Sequence, residues 1–263
     1  MTPAQDLELA LRIADAADTV TLDRFRAADL RVDRKPDRTP VTDADLACED
    51  EVRRLLAEAR PDDVVLGEER GGTAPDTGRH WIVDPIDGTK NFSRGVPVFA
   101  TLLGLVVDGE PTVGVVSAPA LGRRWWAARG TGAFTADVAR GIASTPIGVS
   151  AVADLADAYV STTDLDYWRE IGARDRWLAL TEATWESRAF GDFFHHMLVA
   201  EGLMDVVAEP GASAWDLAAP AVVVREAGGR LTDFTGTDRI DGGDALSSNG
   251  LLHDAVRAII RPA

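Results

Sequence analysis

Two aspartates that follow a short apolar run are the residues best suited to chemistry in this sequence. The run at residues 81–83 predicts a buried strand, and Asp84 and Asp87 follow it on a predicted loop. Pro85 restricts its own φ and favours an extended Asp84, while Gly88 permits close approach of a ligand. Carboxylates on such a stiff loop can point at one hard cation such as Mg²⁺, which also takes waters and substrate phosphate. The alternative is a turn in which the aspartates only accept hydrogen bonds from backbone amides.

Further acidic residues stand at the boundaries of two other predicted elements. Glu68 and Glu69 follow the apolar run at residues 64–66, so a second strand ends in carboxylates. Asp216 lies in the first turn of an apolar helix that is predicted to begin at Trp215. Each position also has a structural explanation, because strand ends are solvated and acidic residues favour the positive end of a helix dipole.

These acidic segments match a known family pattern in their order along the chain. They read G-E-E at residues 67–69, D-P-I-D-G-T-K-N-F at residues 84–92 and W-D-L-A-A at residues 215–219. In this order they resemble the inositol monophosphatase superfamily of Mg²⁺-dependent, lithium-sensitive phosphatases, over nearly the whole chain. The resemblance implies an α/β protein with the layered αβαβα sandwich of the inositol monophosphatase and fructose-1,6-bisphosphatase type.

The resemblance also implies the ligands of two Mg²⁺ ions. It assigns Glu68, Asp84 and the main-chain carbonyl of Ile86 to the first ion. It assigns Asp84 as a bridging ligand, with Asp87 and Asp216, to the second ion. A weaker third ion near Glu68 is implied as well.

The residues that hold the attacking water and the phosphate are implied in the same way. The segment P-V-T-D-A-D at residues 40–45 is similar to the family's V-T-x-x-D, whose aspartate acts on the water with the threonine of D-G-T. Asp45 and Thr89 take these roles here, and Asp43 is the alternative if the register shifts by two. The amides of Gly88 and Thr89 are expected to bind phosphate oxygens.

Residues of the second half are expected to select the leaving group. Glu209 precedes Asp216 at the spacing of the family's substrate-binding glutamate, and Arg188 and Asp192 lie in the segment that faces the leaving group. A second carboxylate near Glu209 favours a leaving group with positive charge, such as L-histidinol with its ammonium and titratable imidazole. A helix N-cap is the alternative role for Asp192.

Several segments also resemble the actinobacterial-type histidinol-phosphate phosphatases of this superfamily. These segments are residues 116–121, 123–130, 191–193 and 198–202. The resemblance implies hydrolysis of L-histidinol phosphate in histidine biosynthesis. The chain departs from that pattern at His195 and His196, where a small residue and a tyrosine are usual. Because consecutive helical residues point in different directions, joint metal binding by the two histidines is not expected.

Other functions stay open beside this one. The nearest is an inositol-1-phosphate or broad-specificity sugar phosphatase. A 3′-phosphoadenosine bisphosphate phosphatase is a further alternative, although the sequence has no basic cluster for a second phosphate. A non-catalytic metal- or ligand-binding relative would need to have lost a carboxylate, and all of the required acids are present in this chain: Asp45, Glu68, Asp84, Asp87 and Asp216.

The composition of the chain limits the kinds of molecule that the protein is expected to bind. The 263 residues are 46% hydrophobic, which is enough for a large core. The net charge of −16 repels nucleic acid and anionic lipid, and it repels a phosphate ester unless cations intervene. No apolar run approaches a membrane span, the N-terminus lacks the basic head of a signal peptide, and Cys48 has no partner for a disulfide. We expect a cytoplasmic enzyme that acts on a small phosphorylated metabolite and, by resemblance, forms a homodimer.

The pattern of elements predicts one unit over residues 1–263, with an α+β first half and an α/β second half. The first subdomain, residues 1–144, contains most of the predicted metal ligands. The second, residues 145–263, contains Asp216 and the residues expected to determine specificity.

Within the first half the spacing predicts a helix over residues 3–28, a polar loop at 33–40, and a second helix from Thr42 or Asp43 that ends before Pro61. Further strands are predicted near residues 63–66, 81–84, 98–107, 112–117 and 124–128. In the second half, strands are predicted near 157–162, 204–208, 230–234 and 244–248, and helices near 166–182, 192–202, 215–227 and 251–260.

Overall fold

A computed structural model of the protein describes residues 2–36, 38–75 and 77–261. The helices are α1 (Pro3–Arg24), α2 (Asp43–Ala59), α3 (Thr89–Ser93), α4 (Leu165–Glu170), α5 (Arg174–Ala183), α6 (Asp192–Ala200), α7 (Ala214–Glu226) and α8 (His253–Ile260). The strands of the first half are β1 (Val32–Arg34), β2 (Pro40–Thr42), β3 (Val64–Gly67), β4 (Arg79–Asp87), β5 (Ala100–Val107), β6 (Glu110–Ala118), β7 (Arg123–Ala128), β8 (Ala133–Asp137) and β9 (Ile142–Ile147). The strands of the second half are β10 (Tyr159–Ser161), β11 (Glu186–Arg188), β12 (Val206–Pro210), β13 (Arg230–Thr232) and β14 (Asp244–Ser248).

The elements stack in five layers. Helices α1 and α2 pack on one face of a seven-stranded sheet of order β3-β4-β5-β6-β7-β8-β9. Helices α6 and α7 form the middle layer, between that sheet and a five-stranded sheet of order β11-β10-β12-β14-β13. Helices α4, α5 and α8 cover the outer face of the second sheet. The arrangement confirms the αβαβα sandwich that the sequence predicted. No helix within the described ranges is long and apolar enough to span a membrane.

Helix α1 begins where the sequence predicted and ends earlier. Thr2 caps it in a capping box, with Pro3 as the first helical residue. The chain leaves the helix at Phe25, which is extended, and the Phe25 ring packs against Phe92 and Phe99 at centroid distances of 5.5 and 4.9 Å. The aromatic contact replaces the last predicted turn of the helix.

The polar loop predicted at residues 33–40 is partly wrong, because β1 and β2 form a short antiparallel pair there. Thr42 follows as the N-cap of α2 and accepts hydrogen bonds from the amides of Ala44 and Asp45. The side chain of Asp45 returns to the Thr42 amide, which completes a capping box. This cap fixes Asp45 at the edge of the first sheet.

Strand β4 continues through the segment that the sequence predicted as a loop. Asp84 pairs with Leu102 and Asp87 pairs with Ala100, so a step of three residues on β4 lies opposite a step of two on β5. This extra residue is a β-bulge. Because side chains alternate between the two faces of a strand, residues three apart would point to opposite faces without the bulge. With it, Asp84 and Asp87 lie on the same face.

Two glycines bring helix α7 close to the first sheet. A Cβ at Gly104 on β5 would lie 2.6 Å from the Cβ of Ala218, and one at Gly114 on β6 would lie 2.4 Å from the carbonyl oxygen of Ala219. The absence of side chains at both positions allows the helix backbone to approach the strands. The contact seats the first turn of α7, with Asp216, beside the bulge of β4.

The second half is a mixed sheet, in which β12 pairs parallel with β10 and antiparallel with β14. The helix predicted over residues 166–182 is two helices, α4 and α5. The predicted boundary between residues 144 and 145 lies inside β9, which pairs with β8 and extends the first sheet to Ile147. Strands β8, β9 and β11 were not predicted, because their short sequences lack a clear alternation of apolar and polar residues.

Candidate active site

Three aspartates from two distant segments meet at the centre of the molecule. Carboxylate oxygens of Asp84, Asp87 and Asp216 lie within 4.8 Å of one another. Each is oriented by a backbone amide: Ile86 donates to Asp84 Oδ1 at 3.0 Å, Phe193 donates to Asp87 Oδ2, and Ser213 donates to Asp216 Oδ2 at 2.7 Å. The β4 bulge and the first turn of α7 therefore bring together the ligands that the sequence predicted.

The electrostatics of this cluster favour a bound cation. Burial and the negative charges of Glu68 and Asp87 raise the pKa of Asp84 well above its ordinary value. Burial also raises the pKa of Asp216 to about 8, and the charges of Glu209 and Glu68 add to that rise. An all-oxygen donor set of mutually repelling carboxylates fits a hard divalent ion, which would relieve the repulsion.

Glu68 adds a further carboxylate to this group. It follows β3, and its amide donates to the carbonyl of Val83 on β4 at 3.1 Å. Its carboxylate contributes to the raised pKa of Asp84, as two neighbouring acids do. The parallel pairing of β3 and β4 thus places the two acidic strand ends together.

Lys35 was not assigned a role from the sequence. Its Nζ lies 2.7 Å from Glu68 Oε1 and 2.6 Å from Glu69 Oε1. Although burial opposes its charge, hydrogen bonds to the two glutamates raise the pKa of Lys35 above its ordinary value. The signal in the sequence was the rarity of lysine, because Lys35 and Lys90 are the only two in the chain and both lie beside acidic motifs.

The predicted water-binding pair is also assembled. Thr89 Oγ1 lies 3.1 Å from Asp45 Oδ1 and 2.9 Å from the carbonyl oxygen of Ile86. Asp45 Oδ2 accepts hydrogen bonds from the amide and hydroxyl of Thr42 at 2.7 and 2.5 Å. Burial raises the pKa of Asp45 to about 6 against these hydrogen bonds. Thr89 thus joins the Asp45 carboxylate to the carbonyl that is predicted to bind the first ion.

The alternative residue, Asp43, faces elsewhere. Its Oδ2 pairs with Arg24 at 2.9 Å and with Arg31 at 3.5 Å. Asp43 is the first residue of α2, and Asp45 is two positions further on. The structure therefore places Asp45, and not Asp43, beside Thr89.

The bulge points the carbonyl groups of Pro85 and Ile86 in different directions. The carbonyl of Pro85 accepts a hydrogen bond from Thr101 Oγ1 at 2.8 Å in the core, whereas that of Ile86 faces Thr89. Gly88 has φ +86°, and a Cβ there would lie 3.0 Å from the carbonyl oxygen of Val98. Only glycine fits this turn without strain.

A cavity of about 110 Å³ opens beside the aspartates. Its polar and aromatic walls include Asp87, Asp216, Tyr167, Asp192, His196 and Glu209. Arg188, which the sequence predicted as a substrate-binding residue, lies outside the cavity. Its guanidinium is at the end of an edge strand and pairs with Glu186 at 2.7 Å. The Arg188 side chain is about half exposed, and its role in substrate binding stays a prediction.

Asp192 lines the cavity in an unusual backbone conformation. The N-cap of α6 is Gly191, so the alternative role of Asp192 as the N-cap is wrong. Asp192 has φ +50°, and its Oδ2 accepts a hydrogen bond from Asn91 Nδ2 at 3.4 Å. Burial and the charge of Glu209 raise the pKa of Asp192 to about 6, against the opposite effect of Lys90. A left-handed conformation at a non-glycine residue is typical of functional sites.

Glu209 lies within hydrogen-bonding distance of both consecutive histidines of α6. His196 Nε2 lies 2.9 Å and His195 Nε2 lies 3.3 Å from Glu209 Oε2, and the hydroxyl of Thr163 donates to Oε1. The expectation that the two side chains diverge is therefore wrong. Both rings point an Nε2 atom at Glu209 Oε2, and the rings are nearly perpendicular at 84° with centroids 4.6 Å apart.

Comparisons with known proteins agree with this geometry. A family model described as the inositol monophosphatase family matches residues 3–261. The chain is 58% identical to a histidinol-phosphatase of Mycobacterium tuberculosis, over 95% of this chain and 96% of that protein. It is 52% identical to a histidinol-phosphatase of Streptomyces coelicolor, over 95% and 94% of the two chains. The solved structure of an IMPase from Thermotoga maritima has a TM-score of 0.85 at 29% identity, over 97% of this chain and 96% of that one.

Proposed function

This chain belongs to the inositol monophosphatase family, and within that family we propose that it hydrolyses L-histidinol phosphate to L-histidinol and phosphate. The proposal rests on the cavity, which is lined by carboxylates of the predicted metal site and by two further carboxylates. Asp87 and Asp216 belong to the predicted metal-binding cluster, whereas Asp192 and Glu209 line the same cavity without belonging to that cluster. The phosphate is expected at that cluster, so the second pair faces the leaving group. L-histidinol carries an ammonium there, which two carboxylates attract.

We propose that two Mg²⁺ ions, with a weaker third near Glu68, complete the site. Glu68, Asp84 and the carbonyl of Ile86 would hold the first ion, and Asp84, Asp87 and Asp216 the second. Bound ions of this kind act as Lewis acids on phosphoryl oxygens and orient the groups of an in-line displacement.

Asp45 and Thr89 prepare the attacking water in this proposal. When Thr89 donates its hydroxyl proton to Asp45 Oδ1, its oxygen is free to accept a hydrogen bond from a water molecule. Burial raises the pKa of Asp45 to about 6, so its carboxylate can take up a proton close to neutral pH. The amides of Gly88 and Thr89 would donate hydrogen bonds to phosphate oxygens as negative charge develops on them.

Steady-state kinetics with Mg²⁺ test the substrate. We expect kcat/KM for L-histidinol phosphate to exceed that for inositol 1-phosphate at least tenfold, since one retained ion pair is worth about 1.4 kcal/mol or more. A preference of the same size for inositol 1-phosphate would contradict the proposal. The variant Asp84→Asn is the control for contaminating phosphatases, and it should be inactive on both esters.

Inositol 1-phosphate or another sugar phosphate is the second candidate, because the fold is so similar to that of an IMPase. A 3′-phosphoadenosine bisphosphate is disfavoured as the substrate. Its second phosphate would lie near Asp192 or Glu209, and these carboxylates would repel it. A non-catalytic role is disfavoured because each predicted ligand lies at the cluster. Release of inorganic phosphate from the panel of esters separates these possibilities.

We also propose a homodimer, on the basis of the family resemblance. The second half exposes large apolar side chains, among them Trp185 at 68% and Ile171 at 52%. Contact with a second copy would cover such residues. Light scattering of the purified protein should give twice the mass of 28.1 kDa, and a mass of one chain would contradict the proposal.

A further inference from the structure

We infer that His195 and His196 act together as positioning residues for Glu209, and that through Glu209 they select a leaving group with positive charge. The inference rests on the proposed function, since it concerns the leaving-group side of the same cavity. Both histidines are fully buried, and with Glu209 they form a group separate from the three aspartates of the predicted metal site.

The sheet supplies a row of anchoring groups under α6. Ser161 on β10 and Ser247 on β14 both pair with Val207 on β12, so the three side chains lie side by side on one face. Glu209 is two positions further along β12 and therefore lies on that same face. The hydroxyls of Ser161 and Ser247 lie on either side of β12. The carboxylate of Glu209 lies further along β12, toward its C-terminal end.

Each histidine bridges one serine to the carboxylate. His195 Nδ1 lies 3.2 Å from Ser161 Oγ, and His196 Nδ1 lies 2.8 Å from Ser247 Oγ. Their Nε2 atoms both approach Glu209 Oε2, at 3.3 and 2.9 Å. Four hydrogen bonds thus hold the two rings, and both rings contact one oxygen atom of Glu209.

The chemistry of these groups determines the protonation of the rings. A carboxylate only accepts hydrogen bonds, so each Nε2 carries a proton and donates to Glu209 Oε2. Burial lowers the pKa of His195, so this ring favours the neutral form, in which Nδ1 accepts from the hydroxyl of Ser161. With Thr163 at Oε1, Glu209 accepts three hydrogen bonds from side chains.

These hydrogen bonds hold Glu209 as an ionised carboxylate on the cavity wall. Although burial disfavours the ionised form, the neighbouring His195 and the hydrogen bonds of both rings hold the pKa of Glu209 below its usual range. A lysine or arginine partner would stabilise the carboxylate as well, but it would cancel the charge. The histidine pair instead holds an ionised carboxylate in one orientation on the cavity wall, near Asp192. An ammonium or imidazolium group is the ligand that this arrangement favours.

The test compares a cationic and a neutral ester in variants of His196. We expect His196→Leu to raise KM for L-histidinol phosphate roughly tenfold, as loss of a hydrogen bond to a charged group would, with kcat little changed. KM for glycerol 2-phosphate should change less than about twofold, because that leaving group is neutral. In His196→Gln the side-chain amide can still donate to Glu209, so this variant should recover most of the affinity.

A matched control is available in the same chain. His253 is fully buried and bridges two hydroxyls, Thr232 at 3.0 Å and Ser248 at 2.9 Å, but it contacts no carboxylate. His253→Leu should leave the ratio of the two KM values unchanged. If His196→Leu does not fold, Ser247→Ala serves instead, since it removes the hydroxyl donor to Nδ1 and should shift the KM ratio in the same direction.

A second readout is independent of turnover. Nitrogen-15 NMR of the side chains should show a protonated Nε2 at both His195 and His196, because both nitrogens donate to Glu209. Equal changes of KM for the two esters, or an unprotonated Nε2 on both rings, would overturn the inference. If the unaltered enzyme itself prefers the neutral ester, it is the proposed function that fails, so the two failures are distinguishable.

Discussion

Asp84 and Asp87 lie three positions apart on one strand, and their carboxylates nevertheless lie on the same face of the sheet. The bulge between them causes this, because the strand gains one residue relative to its partner. It also separates the carbonyl of Ile86, which faces Thr89, from that of Pro85, which is held in the core. One local irregularity thus places two carboxylates and a carbonyl around one point.

The roles of Asp45 and Asp43 can be separated by mutation. Asp45→Asn should lower kcat by roughly 10²-fold, because general-base assistance is worth about that much, with little change in KM. Asp43→Asn weakens partly exposed ion pairs with Arg24 and Arg31 and should lower the free energy of unfolding by at most about 1 kcal/mol. Steady-state kinetics and urea unfolding of both variants measure these effects. A loss of kcat in Asp43→Asn alone would reverse the assignment.

Close packing of α7 on the first sheet should control metal affinity as well as stability. A Cβ at Gly104 would lie 2.6 Å from that of Ala218, so Gly104→Ala should cost about 1–3 kcal/mol of unfolding free energy. Displacement of α7 also moves Asp216, so calorimetry should show weaker Mg²⁺ binding. Gly148→Ala is the control, because a Cβ there would be 3.7 Å from its nearest neighbour. Unchanged Mg²⁺ affinity in Gly104→Ala would contradict the coupling.

Lys35 should stabilise the metal-free protein and compete with a cation for Glu68. Its Nζ lies 2.7 Å from Glu68 Oε1 and 2.6 Å from Glu69 Oε1. In Lys35→Met the two glutamates lose their partner, so the Tm in EDTA should fall. The rise of Tm on addition of Mg²⁺ should become larger than in the unaltered protein. An equal or smaller rise would show that Lys35 does not act on the metal-binding carboxylates.

The stability of the metal-free protein should fall as pH increases. Burial raises the pKa of Asp216 from its ordinary 3.8 to about 8, and the pKa of Asp84 is raised as well. The folded state therefore binds more protons than the unfolded state between about pH 4 and 8, and each such group loses its contribution as pH rises through the folded pKa. His253 has the opposite sign, because its pKa is lowered to about 4 and its contribution is lost on acidification.

The effect of the aspartates can be isolated by unfolding in urea at pH 5, 6, 7 and 8, with EDTA or with saturating Mg²⁺. The stabilisation by Mg²⁺ should grow with pH, and Asp216→Asn should reduce that growth. The contribution of His253 is common to both conditions and cancels in the difference. A stabilisation by Mg²⁺ that does not vary with pH would contradict the assignment of these carboxylates as ligands.

The sequence predicted the layered fold and the acidic residues that the structure brings together, because the acidic motifs are specific and their order matches a family. It did not predict the bulge, because the hydrogen-bond register of β4 depends on β5, which lies outside the motif. The same motif was interpreted as a loop, since Pro85 and Gly88 are typical of turns. The location in the cytoplasm stays a prediction.

The interpretation of the second half was less accurate, because its site depends on contacts between strands and helices. Helical spacing predicted that His195 and His196 diverge, but the Nε2 atoms of both rings approach Glu209 Oε2 on β12. Arg188 was assigned from its place in a motif, and in the structure it pairs with Glu186 and does not line the cavity. Lys35 was assigned no role because no local pattern shows that β1 and β2 bring it to Glu68.

The most direct test of the account is anomalous diffraction from a crystal grown with Mn²⁺ in place of Mg²⁺. We expect two strong anomalous peaks roughly 3.5–4 Å apart, as in other two-metal sites, with Asp84 coordinated to both. One peak should lie beside Glu68 and Ile86, and the other beside Asp87 and Asp216. A map with no anomalous peak among these carboxylates would contradict the central claim that they gather divalent cations around the phosphoryl group.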